Sequence, residues 1–318
     1  MLDERVVAIA DAADQGRAPT RGDVLHLLKF DAYSPEAAYV GAIARRIGMR
    51  ACEGRGYVYA QIGVDSTACP KNCRFCSFAV VNASQDYDPA NVEVPVGRIV
   101  HYAKLFDSEG VYLVSLMATA ALDFDRYLDI VRAVRASVSD RMVIAANTGD
   151  LTLEQAQALK DAGANAAYHA LRLGEGEWTG IAPVERRRTL RRLKAAGLDV
   201  MTGVEPVWQG VAPLELSERI CDLPEYVPFC MGANGLRNIE GADVYGRKRP
   251  LEGYLRYVGA CARLVCGESV RIGGIGGLKW ADAGCDPRNR GYGEEDGHLR
   301  RQIARSKRQL QSEGFVVE

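Results

Sequence analysis

The chain has 318 residues, 47% of them hydrophobic and 25% charged, which are the proportions of an ordinary globular protein and exclude compositional disorder. Forty Lys and Arg against forty-one Asp and Glu leave a formal charge of -1, which argues against nucleic acid as the main partner, because phosphate-driven binding needs a basic surface. No apolar run approaches the roughly 20 residues that span a bilayer, and the opening stretch MLDERVVAIADAADQGR lacks the apolar core of a signal peptide, so a cytoplasmic enzyme with no membrane partner is expected.

The first 50 residues read as helical. Thr20 caps the run RGDVLHLLKF, and Ser34-Pro35-Glu36 supplies a cap, a first-turn proline and an early acid before AAYVGAIARRIG. This predicts an N-terminal helical cap over residues 1–50. Strand-like segments then alternate with helical ones. The strands are YVYAQIGV (57–64), GVYLVSLM (110–117), MVIAAN (142–147), NAAYHALR (165–172), DVMTGVEP (199–206), YVPFCMG (226–232), SVRIGG (269–274) and LKWADAG (278–284). Gly163 and Gly197 fall just past helix ends, where a left-handed residue is wanted. Eight alternations predict an α/β fold, a parallel (β/α)8 TIM-type barrel over residues 51–318. An incomplete six-strand barrel with an irregular C-terminal part is the alternative. In both, the active site lies at the C-terminal ends of the strands. The tail HLRRQIARSKRQLQSEGF reads as a solvated helix packed on the barrel.

Nine cysteines, an odd number without an export signal, point to a reducing compartment and not to a disulfide scaffold. Cys69, Cys73 and Cys76 form a CxxxCxxC directly after the first strand. Thiolate is the soft ligand of iron–sulfur chemistry, and a structural zinc or an ordinary [4Fe–4S] site asks for four protein ligands. Three leave one iron open. Cys221, Cys230, Cys261 and Cys266 are expected to be small buried apolar residues. Cys285, near the barrel mouth, is a candidate ligand or radical-relay residue.

This spacing, with Phe75 between the last two cysteines, resembles the radical S-adenosylmethionine (SAM) superfamily. From about residue 20 to the end the chain is similar to the biotin-synthase-like branch, which also holds methylornithine synthase and the SAM maturase of [FeFe]-hydrogenase. YAQIGVDSTACPKNCRFCSFA, SLMATA, RLGEGEWTG and AGCDPRN resemble most the radical SAM protein associated with [Fe]-hydrogenase maturation. The resemblance implies a [4Fe–4S] cluster on Cys69, Cys73 and Cys76, with SAM chelating the open iron. One electron then yields methionine and a 5′-deoxyadenosyl radical, which takes hydrogen from a small organic substrate. It also implies an electron donor such as flavodoxin or ferredoxin. The expected outcome is a carbon-centred rearrangement, fragmentation or transfer in cofactor or metabolite biosynthesis. The alternatives are sulfur insertion of the biotin or lipoyl type and a non-catalytic iron–sulfur scaffold. The second, sulfur-donating cluster of biotin synthase takes cysteines from the second, third and fifth strands, and here those strands contain none.

The same resemblance places Phe75 near the adenine, or as an anchor of its loop. It puts Ser115, Met117 and Thr119 where the SAM methionine is contacted. Arg172 and Glu175 match an arginine and an acid that hold SAM's carboxylate and amine, although RLGE is one residue longer than the arginine-x-acid pattern. An arginine fork fits a carboxylate. His169 matches a strand position in biotin synthase, or is a buried histidine satisfied locally. Asn147 can donate and accept toward a polar ligand, and Asp150 either binds a ligand or, with Thr152, caps the next helix. Glu205 suits ribose hydroxyls or substrate. Arg271, matching the seventh-strand arginine, and Arg288 suit an anionic substrate at the mouth. The catalytic candidates are therefore Asn147, Glu205, Arg271 and Cys285.

Overall fold

The computed structural model describes residues 1–317 apart from 83–92, 238, 240, 241, 243, 245, 247–249, 274–277 and 284–295. Helices α1 (Glu4–Asp14), α2 (Arg21–Leu27) and α3 (Pro35–Ala51) precede strand β1 (Tyr57–Gly63). There follow α4 (Val96–Ser108), β2 (Leu113–Met117), α5 (Phe124–Arg135), β3 (Val143–Asn147), α6 (Leu153–Asp161), β4 (Ala166–Tyr168), α7 (Pro183–Ala195) and β5 (Asp199–Val207). The chain ends with α8 (Pro213–Tyr226), β6 (Cys230–Gly235), α9 (Glu252–Cys266), β7 (Ile272–Gly273), β8 (Leu278–Ala283) and α10 (Asp296–Ser312).

All strand pairs are parallel, in the order β7-β6-β5-β4-β3-β2-β1-β8. From β1 to β7 each strand returns through a helix, the crossover that parallel pairing demands. The result is a curled α/β sheet with helices against it. The pairing of β7 with β8 that would close a barrel is not among those of the described residues.

Capping chemistry explains where the helices begin. The Thr20 hydroxyl accepts from Asp23 N while the Asp23 carboxylate reaches back, and Thr152 and Gln155 repeat the device at α6. Ser34 caps α3, with Pro35 in the first turn. Gly163 and Gly197 are left-handed at φ 103° and 75°. Helices α1–α3 pack against α8 and α9: Tyr257 of α9 donates to the Leu27 carbonyl at 2.6 Å, and Tyr39 of α3 donates to Asp11 of α1 at 2.6 Å. One apolar cluster gathers these helices, and a second lies between β1–β5 and the helices α4–α7 and α10. No helix among the described residues is long and apolar enough to cross a membrane.

Two strands differ from expectation. Strand β4 stops at Tyr168, because Gly174 and Gly176, at positive φ, turn the following residues into a loop. Helix α8 runs on through Tyr226, which is buried and accepts a hydrogen bond from Arg187 at 3.0 Å. Left-handed Val227 ends it, so β6 begins only at Cys230.

The β5–β6 ladder depends on a glycine. A Cβ on Gly203 would stand 2.3 Å from the Gly232 carbonyl oxygen, and backbone cannot step aside as a flexible side chain can. Gly203→Ala is expected to destabilise the fold by about 1–3 kcal/mol, read as a lower urea midpoint at unchanged slope; an unchanged midpoint would contradict this packing.

Candidate functional site

The C-terminal ends of the strands converge on the cysteine loop. Just past β1, the buried Asp65 carboxylate accepts from Thr119 N at 2.7 Å, from the Thr119 hydroxyl at 2.8 Å and from Thr67 N at 3.1 Å. This ties the exits of β1 and β2 together. The loop then folds on itself, with Cys69 N donating to Phe78 O at 2.6 Å, Cys76 N to Cys73 O at 2.8 Å and Val80 N to Cys69 O at 3.2 Å. Asn72 takes the left-handed conformation at φ 48°, which asparagine tolerates better than most residues. Its side-chain oxygen accepts from Val81 N at 3.2 Å.

The loop that follows β4 grips the cysteine loop from outside. Gly180 N donates to Lys71 O at 2.7 Å, and Arg74 N donates to Trp178 O at 2.8 Å. A side chain at 180 would sit 2.9 Å from Lys71 O. The indoles of Trp178 and Trp208 stack at 4.2 Å behind this contact.

Cys69, Cys73 and Cys76 are all half-buried. Burial pushes the Cys73 thiol up to about 11, with Arg172 and Arg186 pulling the other way. Thiolate binding of a metal would therefore release protons. Among the described residues no three His, Cys, Asp or Glu side chains converge on one ion. An iron–sulfur cube takes one thiolate per corner, so its ligands stand wider apart than those of a single ion.

Arg172 gives the donor set its second half. Its Nε lies 3.8 Å from Glu205 Oε1 and its guanidinium 5.9 Å from the centre of the Phe75 ring. Its Nη1 is buried with no hydrogen-bond partner in the protein. A buried N–H left unsatisfied costs about 1–3 kcal/mol, more for a charged group, so this one asks for an acceptor from a ligand. Three thiols in one closed loop beside such an arginine fit a three-Cys cluster with a carboxylate-bearing ligand.

Two polar groups line the strand ends. Met117 Sδ accepts from Asn147 Nδ2 at 3.1 Å and from Ser115 Oγ at 3.4 Å. Glu205, 8% exposed, accepts from Tyr168 Oη through one oxygen and from Asn234 Nδ2 at 2.7 Å through the other. Burial, with the adjacent Glu205, drives the Tyr168 phenol well above its ordinary value, so it stays a donor. Asp65, Tyr168 and Asn234 were not assigned roles by sequence reasoning. The residue just past β1, the last residue of β4 and an inward position of β6 were the signals available.

Other expectations need correction. Glu175 commits both oxygens to its own loop, accepting from Arg172 N at 3.0 Å and from the Thr179 hydroxyl at 2.5 Å. Its carboxylate is thus a loop brace. The Thr119 hydroxyl is likewise occupied by Asp65. Asp150 does not cap α6, because Thr152 does. Instead it meets His169 Nε2 at 3.2 Å and Arg186 Nη1 at 3.3 Å in a buried network. Arg271 precedes the first residue of β7 and donates to the hydroxyl of Tyr57, the first residue of β1, at 3.3 Å. It therefore stands at the N-terminal end of the sheet, opposite the cysteines, because a residue entering a parallel strand lies a strand's length from the site. Cys285 and Arg288 lie outside the described residues.

Residues 64–211 match the model of the Radical SAM superfamily. Biotin synthase of Gloeothece citriformis is 27% identical over 235 residues, covering 69% of this chain and 64% of the relative. Biotin synthase 1 of Corynebacterium diphtheriae is 25% identical over 224 residues, covering 68% and 61%. Residues 64–211 thus match the radical SAM superfamily, and the relatives and the fold are consistent with its biotin-synthase-like branch. The chain spans less than two thirds of the length of these curated relatives. Its fold is shared with methylornithine synthase (TM-score 0.79, 17% identity, covering 98% of this chain and 97% of that one). It is shared too with the [FeFe]-hydrogenase maturase HydG of Carboxydothermus hydrogenoformans (TM-score 0.78, 17% identity, covering 99% and 79%). Radical SAM proteins and biotin synthases use a [4Fe–4S] cluster and SAM, and the cysteines for such a cluster are present in this chain.

The network behind the loop has a pH signature. Burial, reinforced by Arg186, pushes His169 down to about 4, so it is neutral in the fold, while the unfolded chain protonates it near 6.5. Stability from this group is full above pH 6.5 and is lost as pH falls toward 4. Burial alone would raise Asp150, but the His169 hydrogen bond, with Arg186 and Lys71, holds it at about 2, so its contribution fades only below 3.8. The melting temperature should fall between pH 6.5 and 4, and His169→Gln should flatten that slope; an equal slope in both proteins would refute the assignment.

Proposed function

We propose that this radical SAM enzyme acts on a small organic substrate, starting a carbon-centred rearrangement, fragmentation or transfer in cofactor or metabolite biosynthesis. The observation that carries the reading is the cysteine loop lying beside Arg172, whose buried Nη1 lacks a protein partner. Cys69, Cys73 and Cys76 would hold the cluster. When bound, cluster and SAM together supply a carbon radical able to take hydrogen from an unactivated C–H. Arg172 would fork onto SAM's carboxylate, a geometry that a lysine cannot reproduce. Phe75, under the Arg172 guanidinium, would pack against the adenine. Ser115 and Met117 would border the methionine end, and Glu205, held by Tyr168 and Asn234, would accept from ribose or substrate hydroxyls. Asn147 would orient the substrate. His169 and Glu175 support this shell from behind. The stacked tryptophans and the strand-end side chains would exclude water from the reacting centre.

The same reading closes the barrel through β7 and β8. It divides the chain into a helical cap, 1–50, and a barrel, 51–318, and makes the protein cytoplasmic with a flavodoxin or ferredoxin as electron donor. Within the branch, the motifs resemble those of the radical SAM protein associated with [Fe]-hydrogenase maturation. Sulfur insertion is the second reading, favoured by the biotin synthase relatives. Against it, β2, β3 and β5 contain no cysteine.

Anaerobic reconstitution with iron, sulfide, reductant and SAM should give 5′-deoxyadenosine and about four irons per chain. Six or eight irons would favour sulfur insertion, and a loaded protein that never cleaves SAM with candidate metabolites present would refute the enzyme reading. Arg172→Lys should weaken SAM binding about tenfold, since it removes a bidentate, charge-assisted contact. Binding of SAM by the loaded variant with wild-type affinity would remove Arg172 from that role.

A further inference from the structure

The charged groups behind the cysteine loop form a closed circuit. Asp150, at the exit of β3, divides its carboxylate. Oδ1 faces inward to His169 Nε2 at 3.2 Å, Arg186 Nη1 at 3.3 Å and the Thr189 hydroxyl at 3.5 Å. Oδ2 faces Lys71 Nζ at 3.8 Å, and Lys71 lies between Cys69 and Cys73. The backbone of Lys71 is fixed independently, because its carbonyl accepts from Gly180 N at 2.7 Å. Thr179, next to Gly180, donates to Glu175 at 2.5 Å, and Glu175 pairs with Arg186 Nε at 3.5 Å. Arg186 closes the circuit back to Asp150. The Asp150 side chain is 16% exposed, the Arg186 side chain 7% and that of Glu175 2%, so the network is shielded from the salt screening that weakens surface pairs. The outer partner, Lys71, is the most exposed of them.

Such a network needs a reason. Buried ion pairs add little net stability, because desolvation offsets attraction. A well-packed apolar cluster under the loop would do as much for folding. What the charges add is direction: one carboxylate held from behind through Oδ1 by the Arg186 cation and the neutral His169, and turned through Oδ2 to the single lysine of the cysteine loop.

We propose that Asp150 is a positioning residue that fixes the cysteine loop through Lys71, with Arg186 and Glu175 as its buried support. It touches neither cluster nor SAM and acts through the loop that carries the ligands. The inference rests on the reading of the triad as cluster ligands only in its consequence. The clamp itself is a property of the metal-free chain, and its first test needs no metal.

In the metal-free protein, thiol alkylation by a maleimide, followed by peptide mass spectrometry, reports the opening of each cysteine's surroundings. Asp150→Asn and Lys71→Met should each speed alkylation of Cys69, Cys73 and Cys76 about three- to fivefold, the scale of a part-exposed ion pair in a local opening equilibrium. Lys71→Arg should keep the slow rate, and half-buried Cys221, on α8 and not itself part of the clamp, should not change in any variant. Unchanged triad rates in both Asp150→Asn and Lys71→Met overturn the proposal. So does an equal rise at Cys221, which would mean general loosening. In the reconstituted enzyme, Asp150→Asn should keep its iron and raise the cluster's reduction potential, because a nearby anion opposes an added electron; an unshifted or lowered potential would contradict the placement. If even the wild-type chain takes up no iron, the reading of the triad fails, while the alkylation rates still decide the clamp.

Discussion

Three thiols within eight residues would repel one another as thiolates, and the surroundings of the cysteine loop bear on that repulsion. Before any metal arrives, burial keeps Cys73 protonated, and binding a cluster would bring its thiolate charge into this half-buried loop. Two arginines favour that charge from one side. Arg172 approaches along the exit of β4 and Arg186 from the first turns of α7, and both act on Cys73 electrostatically. Neither is near the triad in sequence. Their convergence is a product of the parallel sheet, which delivers every strand exit and every following helix N-terminus to one face.

The sheet also determines what the face can hold. Alternation along the strands directs Ser115 and Met117, Ala145 and Asn147, Ala166 and Tyr168, Gly203 and Glu205, and Gly232 and Asn234 to the same side. The layer nearer the strand starts is small. The layer at the exits is polar, and its members satisfy each other through the Met117–Asn147 and Tyr168–Glu205–Asn234 contacts. Glu205 can lie buried because a phenol, an amide and a guanidinium surround it. A polar floor satisfied in this way stays preorganised and leaves the Arg172 fork as the group with capacity to spare.

The sequence made the fold legible wherever a local rule operated. Thr20, Ser34 and Thr152 announced helix starts, Gly163 and Gly197 announced helix ends, and eight strand-like runs appear as eight strands. It failed where packing overrode pattern. VPF after Tyr226 looks like a strand, but the turn before it belongs to a helix anchored by Arg187. The triad was legible because its spacing is itself chemistry. Arg172 was legible as a residue type at a strand exit. Arg186 was not, since in VERRRTLRRL nothing separates one buried arginine from its solvated neighbours; only the facing Asp150 and Glu175 do so, and they lie on other elements. Glu175 looked free for a ligand because its partner Thr179 is four residues away in a loop with no regular period. Arg271 looked like a mouth residue because a strand read three residues too early puts its side chain at the wrong end.

The placement of the remaining cysteines bears on which branch chemistry this scaffold can run. A sulfur-donating second cluster needs soft ligands inside the sheet, beyond the SAM site. Cys230 is the first residue of β6, at the end away from the triad, and burial pushes its thiol up to about 12. Cys261 and Cys266 belong to α9, outside the sheet, and are also pushed up to about 12 by burial. Cys52 closes α3 and directs its thiol to the Met49 carbonyl. Cys221 sits on α8, where burial again raises it. Cys221, Cys230, Cys261 and Cys266 are thiols kept as thiols, which behave as small apolar residues and not as metal ligands. Among the described residues, then, soft donor chemistry at the strand exits is confined to the triad and the Met117 thioether. The polar floor beneath them offers amides, a phenol and a carboxylate, which bind and orient an organic molecule by hydrogen bonds and supply no sulfur.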